Sequence, residues 1–476
     1  MKPNSGLVGA VLTAAVTLSG CSLAPPLKIP DVPTAAVYKE AGPWMPAQPA
    51  DGLSRGEWWT MYGDADLNAL QTRLIDHSPD LAAALARYNQ AQAFSDQLRS
   101  GLFPSLVLGA NAQRDGLSNM RPQRPANSTN DYNSFTAGVQ ADYELDLWGR
   151  IRNEVAAGRA QAQAYAADLA SARLSLQAQL ADDYIVLRGL DRQIALLNET
   201  VSAYEKALAL TQARHDGGVA AGLDVARAQT QLGTSRSLAA QTLALRAVSE
   251  HAIAALIGES ASEFSIEPRQ AQIASPDVPV GVPATLVQRR PDIAAAQRRV
   301  AANNASVGVA RAAFFPAITL SAAIGYQSTA AGNWITAPNA FWSIGPSLLF
   351  TLFDAGKRKA QVAQAQAALD ESGSVYRGIV LTAFQQVEDG LALVNHYRTA
   401  ATEEHSAMTA AQRSLDISLT QYREGAVSYL DVVTSQTVTL QTELATLDLD
   451  TTELRASVQL IRALGGGWTS AQMPSS

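Results

Sequence analysis

Cysteine is almost missing: the 476-residue chain holds one, Cys21, so no intrachain disulfide and no thiolate metal cluster is available to it. Histidine is nearly as scarce. His77, His215, His251, His396 and His405 never pair at metal-ligand spacing, and no HExxH sequence occurs. Charged residues make up 17% of the chain, 36 basic against 43 acidic, for a net charge of −7. That balance offers no basic face for nucleic acid and is not extreme enough for disorder. Beyond the N-terminus there is no run of eighteen apolar residues, so a body that crosses a membrane must do so with strands. The glycine run 465–467 lacks the lysine and preceding strand of a phosphate loop, and no Gly-x-Ser-x-Gly element appears. No constellation supports catalysis, a cofactor or a metal, so the chain reads as a non-enzyme.

What is present begins with an address. Lys2 precedes an apolar run from Leu7 to Leu18, too short for a stable membrane helix but right for a secretory signal over 1–20. Leu18-Ser19-Gly20-Cys21 matches the bacterial lipobox, in which the chain is cut before the cysteine and the cysteine is acylated. Ser22, rather than an aspartate, follows Cys21 and favours sorting to the outer membrane.

The rest is one unit written twice. Pro79-Asp80-Leu81-Ala82-Ala83-Ala84 recurs as Pro291-Asp292-Ile293-Ala294-Ala295-Ala296, and Arg87, Arg99 and Phe103-Pro104 meet Arg299, Arg311 and Phe315-Pro316 without a gap. Leu145…Gly149-Arg150 pairs with Leu352…Gly356-Lys357, and Leu223-Asp224-Val225 with Leu430-Asp431-Val432. Such a spacing means a duplicated half rather than a short-period solenoid. Each half predicts a helix, two strands and a long helical hairpin.

Strands are expected over 104–114, 134–147, 317–327 and 341–353, where apolar and polar or small residues alternate with a period of two. A soluble sandwich with one wet face shows the same alternation, but the lipobox and the lack of further strands favour a membrane barrel. Loops 115–133 and 328–340, rich in Asn, Ser, Pro, Arg and Gly, suit an extracellular rim. Asp142, Glu144 and Asp146 share the polar face of the second strand. In a trimer they would place carboxylates around the lumen and favour cations.

From Gly149 to about Arg214 no proline interrupts, and Leu187-Leu190-Ile194-Leu197-Val201-Tyr204-Leu208 steps by three and four. Val380-Phe384-Val387-Leu391-Val394 does the same in the second half. This spacing predicts left-handed supercoiling between neighbours. Gly217-Gly218 and Gly425 break these helices and predict tight hairpins. Four strands alone leave open edges that lipid does not tolerate. Two chains give eight strands, whose interior side chains fill; three give twelve and a conduit.

Several of these segments together resemble the outer-membrane factors of the TolC type, in their NodT-like lipoprotein branch. The carriers are the lipobox, Trp58-Trp59…Asp64…Leu67, Arg290-Pro-Asp-Ile-Ala-Ala-Ala-Gln-Arg-Arg299, Ala312-Ala-Phe-Phe-Pro316 and Leu464-Gly-Gly-Gly-Trp468. The resemblance implies a mixed α and β fold: four strands per chain completing a trimeric twelve-stranded transmembrane β-barrel, continued by a long periplasmic α-helical barrel. It implies a division into signal (1–20), lipid-anchored segment with part of a collar (21–78), first repeat (79–257), connector (258–285), second repeat (286–464) and tail (465–476). It further implies a homotrimer that works as a passive exit duct for small molecules such as drugs. The partners would be outer-membrane lipid, a periplasmic adaptor and a proton-driven inner-membrane pump. A type I protein-secretion or metal-ion efflux duct is the alternative, and a pore-free periplasmic scaffold is the reading from another class. In the family the hairpin tips close the periplasmic end through acidic rings and a tyrosine–arginine latch. Here the matching positions are Asp224, Asp431 and Tyr422. The latch arginine is replaced by Val427, which leaves Arg423 or Arg214 to substitute.

Overall fold

The structure, a computed structural model, describes residues 22–32, 35, 37–40, 55–120, 122, 129–270, 272–276, 278 and 289–467. The signal segment and Cys21 lie outside the described residues. After a short 3-10 stretch at Arg55–Tyr62 come helices α1 (Ala65–His77) and α2 (Pro79–Ser100), strands β1 (Ser105–Gly116) and β2 (Asp131–Glu144), and helices α3 (Arg150–Asp216) and α4 (Gly222–Leu256). The second half repeats the order: α5 (Pro291–Ala312), β3 (Ala317–Ser328), β4 (Ala340–Leu349), α6 (Lys357–Glu424) and α7 (Tyr429–Ala463). Pro79 and Pro291 occupy the first turns of their helices, where a missing N–H costs nothing.

α3 and α6 run for 67 and 68 residues, which at 1.5 Å per residue gives each a length of ~100 Å. Each turns back on a glycine in the left-handed region, Gly218 at φ +76° and Gly425 at φ +79°, where a side chain would be strained. α4 and α7, 35 residues each, cover only the half of the long helices next to the turn. The other half of α3 is covered by α2 and α5: Gly158 lies against Ser95 and Leu98, and Asp168 pairs with Arg299. The predicted seams are the packed stripes. Leu187, Leu197, Val380, Val387 and Leu391 are all fully buried.

The four strands form one antiparallel sheet in the order β1-β2-β3-β4. The registers Ser105↔Asp142, Asp142↔Ser321 and Ser321↔Gly345 put like with like. Asn111, Gln113, Gln140, Asp142, Thr319 and Ser347 share one face; Leu106, Leu108, Val139, Ile324, Trp342 and Leu348 share the other. β1 and β4 are free edges.

The strand ends differ from the sequence expectation, most at β2 and β4. β2 begins at Asp131 and stops at Glu144 instead of running to 147. The Leu145 N–H still donates to the Ile318 carbonyl, but the Asp146 carboxylate accepts from the Arg152 N–H and so belongs to the start of α3. β4 stops at Leu349 rather than 353, where the single chain supplies no strand beyond it to pair with.

Midway along the molecule Trp58, Trp59, Tyr62, Leu67 and Leu74 join Phe264, Ile273 and Val278, the middles of α3 and α6, and the end of α7 in one core. Residues 58–74, 264–278 and the end of α7 thus meet at one level.

Candidate functional site

The apolar face of the sheet is bare in the single chain: Leu106, Leu108, Ile324, Trp342, Ile344 and Leu348 are all more than half exposed. Exposed aromatic residues bracket it. Trp342 stands near the loop end; Phe103, Phe350 and Phe353 stand where strands give way to helices. An apolar band between aromatic girdles is what a lipid-facing barrel wall requires. Among the described residues no helix is long and apolar enough to cross a membrane.

The polar face carries the expected acidic cluster, with a correction. Asp142 is on the face and accepts from Ser321 at 2.6 Å and Gln140 at 2.8 Å, both neutral. Glu144 is held by Arg150 through two bonds, at 2.9 and 2.6 Å, and Arg150 also bonds Glu154. Asp146 is not on the strand and pairs with Arg152. The alternation that revealed the carboxylates gave no sign of the two arginines, which follow in the first helical turn. The field at this level is that of Asp142 and of carboxylates partly neutralised, not of three free ones.

At the far end, Gly218 and Gly425 set the tips of the two hairpins beside each other. Tyr422 is buried, its ring 5.4 Å from that of Tyr429. The Arg214 guanidinium lies 4.6 Å above the Tyr422 ring, and its Nη1 donates to the Tyr422 carbonyl at 3.1 Å. Arg214 therefore ties the end of α3 to the end of α6. The Tyr422 hydroxyl has no hydrogen-bond partner among the described residues. Asp431 is exposed and forms a capping box: the Ser428 N–H and hydroxyl both donate to its carboxylate, at 3.0 and 2.7 Å. Asp224 sits in the first turn of α4 with Arg227 at 3.5 Å.

The segment after Cys21 is laid against the helices just below the sheet. The Ser22 hydroxyl donates to Asn153 in the first turn of α3 at 2.8 Å, and Asn304 donates to the Pro25 carbonyl at 2.9 Å. A side chain at Gly308 would meet the Ala24 nitrogen at 2.8 Å, so the tail needs that glycine. Further down, the Lys39 and Glu40 N–H groups donate to Glu388.

A cluster missed by sequence reasoning lies at the mid-level core. Arg188 and Asp191, both almost wholly buried, pair with each other; Arg246 and the Arg269 N–H also bond Asp191, and Arg188 reaches Asp66 and the Glu267 carbonyl. The signal was present: two opposite charges three residues apart inside an otherwise apolar seam.

The profile of the outer membrane efflux protein family matches residues 70–259 and 282–466, one span in each repeat. The chain belongs to this family. It is 30% identical to outer membrane protein OprJ of Pseudomonas aeruginosa, over 98% of this chain and 97% of the relative. It is 32% identical to the pyoverdine export outer membrane protein OpmQ of the same organism, over 90% of each. Among solved structures, the outer-membrane channel OprN superposes with a TM-score of 0.88 at 29% identity, over 94% of this chain and all of that one. The Campylobacter jejuni CmeC outer membrane channel shares the fold, with a TM-score of 0.89 at 22% identity, over 95% of this chain and 96% of that one. This efflux protein is thus an outer-membrane channel subunit and not an enzyme, built on the barrel-plus-helical-tunnel plan of trimeric channels.

Proposed function

We propose that three copies of this chain close one duct through which small molecules leave the cell passively, driven by a proton-coupled inner-membrane pump that a periplasmic adaptor joins to the hairpin tips. The observation that carries the reading is the pair of free edges on a four-stranded sheet whose bare apolar face must meet lipid. Open edges in lipid leave amide groups unpaired at several kcal/mol each, so the sheet needs partners. Relatives are named for pyoverdine export, antibiotic efflux and toluene efflux, cargoes of small size. The placement of Ser22 below the sheet, bonded to Asn153 at the start of α3, supports acylation of Cys21, because a lipid on the preceding residue suits a chain held at that level. The tips are the resting gate, with Tyr422 and Arg214 as the latch and Asp431, Asp224 and Arg423 at or beside the aperture.

Mass spectrometry of detergent-extracted protein, combined with planar-bilayer recording, tests this. The expected result is a trimer with acylated Cys21 and low resting conductance. A folded monomer that never conducts would overturn the reading.

A further inference from the structure

Near the hairpin tips a cavity of about 520 Å³ lies between α3 and α6 and is floored by α7. Leu210 of α3, Leu415 and Leu419 of α6, and Tyr429 and Val432 of α7 make its wall largely apolar. Tyr422 and Gln436 line it as well. They are 7% and 4% exposed, and among the described residues neither the Tyr422 hydroxyl nor the Gln436 Oε1 has a hydrogen-bond partner. Other buried polar groups of the same wall are satisfied. The Tyr204 hydroxyl donates to the Gln436 carbonyl at 3.3 Å, and the Thr211 hydroxyl donates to the Ala207 carbonyl at 2.9 Å. Burying a polar atom without a partner is costly, so two of them in one cavity call for a reason.

The internal repeat supplies a control. The correspondence that sets Leu223 on Leu430 also sets Gln229 on Gln436, His215 on Tyr422 and Gly222 on Tyr429. All three first-hairpin residues are exposed. A hairpin of this design therefore closes without burying a glutamine at that position, and the buried polar pair belongs to the second hairpin. The chemistry of the two atoms defines what would meet them. Gln436 Oε1 only accepts, whereas the Tyr422 hydroxyl donates or accepts, so one hydroxyl group can donate to the first and bond the second. The aliphatic wall with its tyrosine rings suits an aromatic body. Exposed Glu199, Lys206 and Arg423 stand around it with both signs of charge, which selects for neither an anion nor a cation. The volume falls within the roughly 300–1,000 Å³ of small-molecule sites.

We propose that this cavity binds a small neutral aromatic alcohol, as an effector rather than as cargo, and that the bound molecule holds the hairpin tips at rest. Such a ligand touches α3, α6 and α7 at once, and does so only while the three helices keep this arrangement. Arg214 over the Tyr422 ring ties α3 to α6 at the same level. A ligand that prefers the resting form shifts the population toward it. The effector role rests on the reading of the tips as the resting gate; the binding site does not.

Calorimetric titration of the full-length, detergent-extracted protein with 2-naphthol tests the site. Saturable binding of one molecule per chain is expected. 2-Methoxynaphthalene keeps the rings and the oxygen but cannot donate, and should bind at least tenfold more weakly. Gln436→Met keeps the length of the side chain and removes the acceptor, so it should erase the difference between the two compounds. If that variant folds poorly, the comparison on the natural chain stands by itself. Ala203→Phe, which fills the cavity from α3, should abolish binding. Planar-bilayer recording tests the effect. In a channel loosened by Arg214→Ala, 2-naphthol at ten times its dissociation constant should lower the open-to-closed ratio about tenfold per site, if only the resting form binds. Adding Ala203→Phe to that channel should remove the response, which separates it from any action of the probe on the bilayer. No saturable binding, or equal binding of the two compounds, would overturn the site. Binding with no change in conductance would overturn the effector role. An Arg214→Ala channel as closed as its parent would overturn the tip-gate reading and the effector role with it, and the titration alone would then decide the site.

Discussion

Tyr422 is buried with its hydroxyl unpartnered, while its ring carries the Arg214 guanidinium. The contact between the two hairpin ends therefore runs through the ring and the main chain rather than the hydroxyl, and the proposed latch would depend on it. A cation–π contact of this kind contributes about 1 kcal/mol, so three acting together hold about 3 kcal/mol, roughly a hundredfold in an equilibrium. Arg214→Ala should raise resting conductance and uptake of a large antibiotic by up to that factor, while Tyr422→Phe should leave both unchanged; single-channel recording separates the two. Asp431 has two roles to be told apart. As the capping-box residue it stabilises the start of α7 by about 1 kcal/mol. As a charge repeated around an aperture it would bind multivalent cations. Asp431→Asn keeps an acceptor for the cap and removes the charge. It should leave the melting temperature within a degree or two and abolish block by a trivalent cation. Persistent block would reduce Asp431 to a cap.

Long helices must approach closely where they share the central core, and small residues decide where. A Cβ on Gly189 of α3 would come within 2.5 Å of the Thr451 hydroxyl on α7. Gly189→Ala should cost about 1–3 kcal/mol through overpacking, read as a lowered denaturation midpoint, and Thr451→Ala should restore much of it. The N-terminal strap offers a pH-dependent case. Burial, helped by Glu388, pushes the Tyr38 phenol from its ordinary 10 up to about 12. A folded value above the unfolded one means the neutral phenol stabilises the docked strap fully below pH 10, and that this contribution is lost as pH rises toward 12. Release of this segment, read by a fluorophore on the exposed position Val37, should increase over that window, and Tyr38→Phe should remove the pH dependence.

For the whole channel, selectivity depends on a sum over copies. Because Arg150 holds Glu144 and Glu154, the mouth of the barrel is less acidic than a count of its carboxylates implies. Arg150→Ala should raise the cation preference measured by reversal potential at modest salt, and Asp142→Asn should lower it; high salt should shrink both effects by screening. If neither variant moves the potential, selectivity is set elsewhere along the duct.

Periodicity made the strands, the heptad seams and the hairpin breaks legible, because each is a local rule: period two, period 3.5, and a glycine where the chain must turn left-handed. The duplication was visible for the same reason, as were the aspartates in the first turns of α4 and α7. Pairings between distant residues were not. Arg214 lying over Tyr422 and Arg246 joining the Arg188–Asp191 pair both depend on which helices come side by side; Arg150 bonding Glu144 across the strand-to-helix junction is a local contact that a period-two pattern does not register. The exact end of β2 was also not legible in the alternation, since Asp146 had to choose between continuing a strand and starting a helix, and the nearby Arg152 N–H decided it. Local propensity sets where an element forms; a charge far along the chain is partnered only once packing brings its counter-ion within reach.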